Sequence, residues 1–425
     1  MTEQRWLRIL SVSFVMYTIA YIDRTNVSMA LPAMSAELHM DPRQAGDAAG
    51  IFFWGYLLLQ MPVGHLAQHW SAKRVVAILL VAWGVCSVVT GLVHTAREFW
   101  LMRLALGITE GGVWPAVLVL VAHWFPRAER ARANAYWMLC LPLSVVISSP
   151  LSGWLLTHWN WRVLLIVEGA LPFLWLLTWL VSIDDYPRQA RWISKEERDF
   201  LETTLAREAT ELKVPEKVSY FAALLSPQVL ILTTIYFLRN FGSYGSLFWL
   251  PTALGKAQKL SAITLGNVVT IPYILSAVLM VWAAKSSDRT GERRAHMSVT
   301  LVVSGASFLG ALATQRVPWL SFSLITLAVA AVYASLGPFW ALPTETLPRK
   351  VLATAMGLIN AIGNLGGYFG PVVVGHFLKQ SGGFNYGFGA LGIALIVAAA
   401  MAFLLRPAIA TTSLGVNTKV TIAKT

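Results

Sequence analysis

Six ionisable side chains stand inside long apolar runs of this 425-residue chain: Asp23, Arg24, Arg103, Glu110, Glu168 and Arg239. Such groups are costly at membrane depth, so each marks a ligand pathway, a proton relay or a buried ion pair. Arg24 carries a permanently charged planar fork whose geometry matches a carboxylate. It reads as the group that holds a substrate carboxylate, the alternative being an ion pair with an acid from another helix. Arg103 and Glu110 are seven residues apart, two turns along one helix face or about 10 Å along its axis. That is too long for a simple salt bridge but lets both face one cavity. A carboxylate balanced between desolvation and a nearby arginine can exchange a proton when its surroundings change. Glu110 is therefore a candidate for proton coupling with Arg103 modulating it, against a static network that stiffens the helix. Asp23 is a second candidate acid, although neighbours on a helix diverge by about 100°. Arg239 and Asn240, flanked by Tyr236 and Tyr244, could hold a second carboxylate or a polar tail, or serve structure alone. Glu168, with Arg162, reads as structural.

The elements that must position these groups are transmembrane helices. Of all residues 56% are hydrophobic and 13% charged, with a mean hydropathy of +0.60; a soluble domain carries about 25% charged residues. A helix needs about 20 largely apolar residues to cross the hydrocarbon. Twelve stretches qualify: 8–31, 46–68, 74–93, 98–123, 132–157, 161–182, 227–250, 262–284, 296–315, 318–342, 351–378 and 384–406. The first retains Asp23 and Arg24 and has no small-residue cleavage site, so it is expected to stay as a helix rather than act as a signal peptide. Cys86 and Cys140 are isolated within apolar runs, which fits neither a disulfide framework nor a zinc site.

The net charge of +12 resides in short clusters between the apolar runs. That is the pattern of cytoplasmic loops and not of a nucleic-acid face. With the N-terminus inside, 23 of the 33 Lys and Arg fall on the inner side, 7 outside and 3 within spans. The bias predicts both termini in the cytoplasm. The longest connection, 184–226, opens a short amphipathic helix at Ser194-Lys195-Glu196-Glu197, which has capping-box spacing. It separates an N-terminal bundle, 1–183, from a C-terminal bundle, 227–406, with a tail at 407–425. The halves echo each other: Pro126-Arg127 with Ala131 and Ala133 recurs as Pro348-Arg349 with Ala353 and Ala355, and the loop Gly64 to Arg74 recurs at Ala284 to Arg294. Paired halves suit an alternating-access carrier with its site at the midplane between them.

Those two loops resemble the repeated G-x-L-A-D-R-x-G-R-R signature of the major facilitator superfamily. The second copy keeps Asp288, Arg289, Gly291, Arg293 and Arg294, whereas the first has Gln68 for the acid and Ser71 for the glycine. Finer motifs resemble the anion:cation symporter branch: Tyr21-Ile-Asp23-Arg24-Thr-Asn26, Arg103-Leu-Ala-Leu-Gly107-Ile-Thr-Glu110-Gly111, Trp124-Phe-Pro126, Phe248-Trp249-Leu250-Pro251 and Asn360-Ala-Ile-Gly363-Asn364. Within it the chain looks closest to carriers of 4-hydroxyphenylacetate, tartrate and phthalate, and more distantly to hexonate carriers. The resemblance implies an all-α membrane protein, twelve helices in two pseudo-symmetric six-helix bundles. It also implies substrate contact by Tyr21, Arg24, Trp340, Asn360 and Asn364, and coupling through Arg103 and Glu110; Tyr56, Tyr236, Arg239 and Asn240 join them as candidate substrate contacts and Asp23 as a candidate coupling acid.

The expected function is uptake of a small organic carboxylate by proton symport across the cell's inner or plasma membrane. The expected carrier is a monomer with no cofactor beyond the proton gradient. Whether the ligand is an aromatic, hydroxy or sugar acid is open. An uncoupled facilitator or exchanger is the nearest rival. A drug:proton antiporter fits less well, because its helix 5 glycines are mostly missing around Ser149-Pro150-Leu-Ser-Gly153. A sensor would need a signalling domain that the linker is too short to hold. His65 and His69 lack a third metal ligand, and no phosphate-binding loop, H-E-x-x-H or G-x-S-x-G motif occurs, which leaves ATP-driven transport and hydrolysis unsupported.

Overall fold

The computed structural model describes residues 4–211, 226–347 and 349–405. The expected tail at 407–425, Pro348 of the recurring motif, and the linker cations Lys213 and Lys217 lie outside them. Twelve helical columns run through the described residues: α1 Trp6–Glu37, α2 42–71, α3 Ala72–Thr90, α4 Ala96–Trp124, α5 Arg132–His158, α6 Trp161–Ser182, α7 Pro227–Gln258, α8 Ala262–Thr290, α9 Arg293–Ala313, α10 Pro318–Thr346, α11 Thr354–Ser381 and α12 Asn385–Leu404. Length and composition alone mark ten membrane spans. One of these, Pro42–Thr90, is 49 residues long and holds both α2 and α3; α7, 32 residues long, is not among the ten, and Arg239 and Asn240 interrupt its apolar character.

The helix ends follow from local chemistry. Asp41 accepts from the backbone N–H groups of Arg43 and Gln44 at 2.8 and 3.0 Å and so caps α2. Asn160 caps α6, and Thr95 with Glu98 forms a capping box on α4. Gly291 and Gly382 end α8 and α11 in the left-handed conformation, at φ +72° and +71°. In the linker, a helix spans Lys195–Glu211, and Glu197 donates its N–H to Ser194 Oγ at 3.2 Å. Only half of the predicted box forms, because the Glu197 carboxylate turns to Arg5 at 2.5 Å and ties the linker to the start of the chain.

Each bundle uses the same pairings. α1 lies on α5 as α7 lies on α11, α2 on α4 as α8 on α10, and α3 on α6 as α9 on α12. Between bundles α5 meets α8, α2 meets α11 and α1 meets α7. The first two of these contacts are backbone-close at the face opposite the termini. A Cβ on Gly46 would lie 2.5 Å from the Pro371 carbonyl oxygen, and one on Gly266 2.3 Å from that of Ser149. Lys379 and Asp41 add an ion pair of 2.9 Å across the same face, and Tyr368 donates to Asp47 at 2.7 Å just beneath it. Among the described residues, every hydrogen bond or ion pair that joins the bundles lies between the cavity level and this seal.

Candidate substrate and proton site

Several helices break at one depth, α4 at Gly112, α10 at Ser335 and α11 between Gly363 and Gly366. The breaks bring polar side chains and loosened backbone to the middle of the molecule, where irregular backbone is tolerated beside a cavity. That cavity lies between the bundles. Its wall includes Tyr21, Arg24, Tyr56, Tyr236, Arg239, Asn240, Asn360 and Asn364 from the sequence-derived set, joined by Tyr17, Trp114, Tyr244 and Tyr333. It encloses about 30 Å³, room for a water or two and not for an organic acid.

Arg24 is buried and donates to Glu110 Oε2 at 3.1 Å and to the Tyr244 hydroxyl at 3.4 Å. Its guanidinium carbon also lies 4.8, 4.9 and 5.3 Å from the ring centres of Tyr56, Phe52 and Tyr21, so the cation rests in an aromatic cage. The Glu110 side chain is fully buried, and its second oxygen has no partner. The alternative weighed for Arg24, an ion pair with an acid from another helix, is thus present, and that acid is the one proposed for proton coupling.

Arg103 does not bond to Glu110. It donates one hydrogen bond of 3.3 Å to the Ala49 carbonyl and sits over Phe52 and Phe248, with two nitrogens unpartnered. Asp23 turns away from Arg24 into the N-terminal bundle, as the 100° step between neighbours requires. There it accepts from Trp83 Nε1 at 3.1 Å and Ser87 Oγ at 2.9 Å. Glu168 accepts from Ser152 at 2.8 Å, while Arg162 pairs with Glu37 at the seal face.

Across the cavity a chain of polar groups runs from α7 through α11 to α2. Arg239 donates to Asn240 Oδ1 at 2.8 Å and to the Val332 carbonyl at 3.2 Å. Asn240 donates to Asn364 at 3.2 Å, Asn364 to Asn360 at 3.1 Å, and Asn360 to Gln60 at 3.1 Å. Gln60 ends the chain with its own amide nitrogen unpartnered. Trp340 is not in the wall. It stands behind Tyr236 with their ring centres 5.1 Å apart. His65 and His69 are exposed, their rings tilted by 31° with centres 4.0 Å apart, and no group of three or more potential metal ligands gathers among the described residues.

Sequence reasoning missed Gln60, Tyr17, Trp114 and Tyr333. Three of them carried a usable signal, since Tyr17 precedes Tyr21, Gln60 follows Tyr56 and Trp114 follows Glu110 by four residues each, one turn along the same helix face. Tyr333 had no such neighbour.

Two stretches, residues 13–265 and 232–421, match the family model described as Major Facilitator Superfamily. A protein named "Putative tartrate transporter" from Agrobacterium vitis is 31% identical over 406 residues, covering 94% of this chain and 89% of that one. A protein named "Quinolone resistance transporter" from Acinetobacter baumannii is 29% identical over 401 residues, covering 92% and 91%. Among solved structures, a bacterial homologue of the human lysosomal transporter Spinster, in an inward-facing and unoccupied conformation, superposes with a TM-score of 0.74. It is 18% identical, over 93% of this chain and 96% of that one.

Proposed function

Because this chain belongs to the Major Facilitator Superfamily and is a membrane transporter rather than an enzyme, we propose that it imports a small organic carboxylate by proton symport, through alternating access, across the cell's inner membrane with both termini cytoplasmic. The carrying observation is the Arg24–Glu110 pair beside the cavity between the bundles. One guanidinium cannot give its fork fully to two carboxylates. A substrate carboxylate therefore competes with Glu110 for Arg24, and a proton on Glu110 removes the competitor. Loading of substrate and proton is favoured together, which is the thermodynamic requirement of symport.

The opposite wall suits the rest of the ligand. Arg239 and the amides of Asn240, Asn360 and Asn364 offer donors and acceptors for a second carboxylate or hydroxyls, and tyrosines frame both sides. This favours a hydroxylated or dicarboxylic acid, in keeping with the name of the tartrate relative. The seal lies on the face away from the termini, so with the charge bias of the loops this state is closed to the outside.

Alternating access then needs the α2–α11 and α5–α8 contacts to part, with the cavity widening beyond its present volume. The proton carrier is Glu110, and Arg103 biases it through its field. Asp23, held by Trp83 and Ser87 away from the cavity, is the reserve acid. Uptake of a panel of radiolabelled organic acids into proteoliposomes, with and without a protonophore, tests the reading. Saturable uptake of a hydroxy or dicarboxylic acid that collapses with the pH gradient is expected. Gradient-independent equilibration would leave a facilitator or exchanger.

A further inference from the structure

A second cavity, of about 420 Å³, opens at the terminal face between the start of α1, the end of α6 and the linker; Arg8, Val181, Asp184, Gln189, Arg191 and Trp192 line it. It lies far along the chain's axis from the substrate site and shares no residue with it.

Its charges are unevenly satisfied. Asp184 is occupied: Trp192 Nε1 donates to it at 3.1 Å, and Lys73 lies 3.8 Å away. Among the described residues no carboxylate pairs with Arg8. It donates to the Ser182 carbonyl at 3.3 Å, and its guanidinium carbon lies 5.1 Å from the Trp192 ring centre. Arg191 is exposed, and no described acid pairs with it. Two arginines therefore face one small opening with their forks available, which is the recognition chemistry of a phosphate.

The position names the source of that phosphate. Arg8 and Val181 stand where two membrane-length helices end, in the headgroup layer. From Val181, at 68% exposed, an apolar stripe continues along α6 through Leu177 at 70% and Leu174 at 73%, while Leu7 projects from α1 at 78%. The α6 side chains run from the helix end toward the membrane interior, so one molecule could place a phosphate on the arginines and a chain along the stripe. Trp192 supplies the amphipathic ring common at this depth. We propose that this cavity is a binding site for an anionic phospholipid, which fastens the linker to the N-terminal bundle. The argument holds whichever aqueous side the face meets and is independent of the transported substrate.

Native mass spectrometry of the detergent-purified full chain, titrated with phosphatidylglycerol, phosphatidylcholine or inorganic phosphate, tests it. The expected result is a roughly 25-fold preference for phosphatidylglycerol, reduced roughly fivefold by Arg191→Ala and abolished by Arg8→Ala with Arg191→Ala. Arg191→Glu, at an exposed position that leaves the Arg8 packing intact, should reverse the preference without altering thermal stability in the absence of lipid. Equal retention of the two lipids, a preference untouched by Arg191→Glu, or displacement of lipid by millimolar inorganic phosphate would overturn the proposal.

Discussion

Arg24 on α1 and Glu110 on α4 form a 3.1 Å ion pair inside the membrane, with the arginine caged by aromatic rings and one carboxylate oxygen left without a partner. The pair joins the two functions proposed for this site, anion binding and proton uptake, in a single contact. Replacing Glu110 by Gln keeps the size and a hydrogen bond to Arg24 but removes the exchangeable charge. Accumulation against a gradient should vanish, while counterflow of preloaded substrate stays within a few-fold of wild type. Persistent accumulation in the variant would exclude Glu110 as the coupling group.

Much of this arrangement was legible in the sequence, and the gaps have physical causes. The apolar runs, caps and loop signatures defined the helices because each depends on residues close in sequence. Arg24 and Glu110 were both singled out, but their pairing is a contact between α1 and α4 that no local spacing encodes. Arg103, seven residues from Glu110 on the same helix, was the visible candidate for a modulator and makes no bond to it. The degraded first loop signature hid a compensation. Gln68 replaces the usual acid, yet Asp185, beyond α6, accepts from Ser71 Oγ at 2.5 Å and from the Lys73 N–H at 2.9 Å. In the second copy the local Asp288, with Glu345, meets Arg293 instead.

The ion pair also makes a stability test possible. Truncating one member of a buried charge pair costs about 3–5 kcal/mol because the other is stranded. Arg24→Ala should therefore lower thermal stability and reduce uptake efficiency by at least about 30-fold. Adding Glu110→Gln should restore most of the stability but none of the uptake. If the double variant regains uptake, Arg24 serves only to neutralise Glu110 and does not hold substrate.

The amide chain on the other wall predicts a different signature. Asn364→Ala interrupts the relay between Asn240 and Asn360. Loss of a hydrogen bond and of the order it imposes is worth about 1–2 kcal/mol, so KM for uptake should rise roughly 5- to 30-fold with Vmax changed little. A fall in Vmax at constant KM would instead assign the chain to helix movement.

At the seal, the Lys379 ammonium holds the Asp41 carboxyl below its ordinary range, with the Gln44 and Arg43 backbone N–H groups assisting. A depressed value means that the pair is intact above the usual carboxylate pKa of about 3.9 and is lost only as pH falls through the lower, folded value. Lys379→Gln should raise exposure of this face by no more than about fivefold, since an exposed pair contributes about 0–1 kcal/mol. The difference from wild type should be constant between pH 5 and 8 when followed by hydrogen exchange at 42–50. A difference that fades across that range would assign the pH response to another group.

The backbone packing of α5 on α8 in the seal provides the sharpest test of the conformational cycle. Gly266 on α8 lies so near α5 that a Cβ would meet the Ser149 carbonyl oxygen at 2.3 Å, and Gly153 faces the Ala262 carbonyl in return, at 2.6 Å. Backbone cannot swing aside as a side chain can, so Gly266→Val has to separate the helices at this face. The α5–α8 contact should then open and bias the carrier away from the state seen here, raising hydrogen exchange at 146–153 and 262–270. Net transport should fall at least about tenfold while substrate binding persists, because the cavity wall is untouched. Unchanged exchange together with unchanged transport would mean that α5 and α8 do not need this approach, and that the seal is carried by α2 and α11 alone.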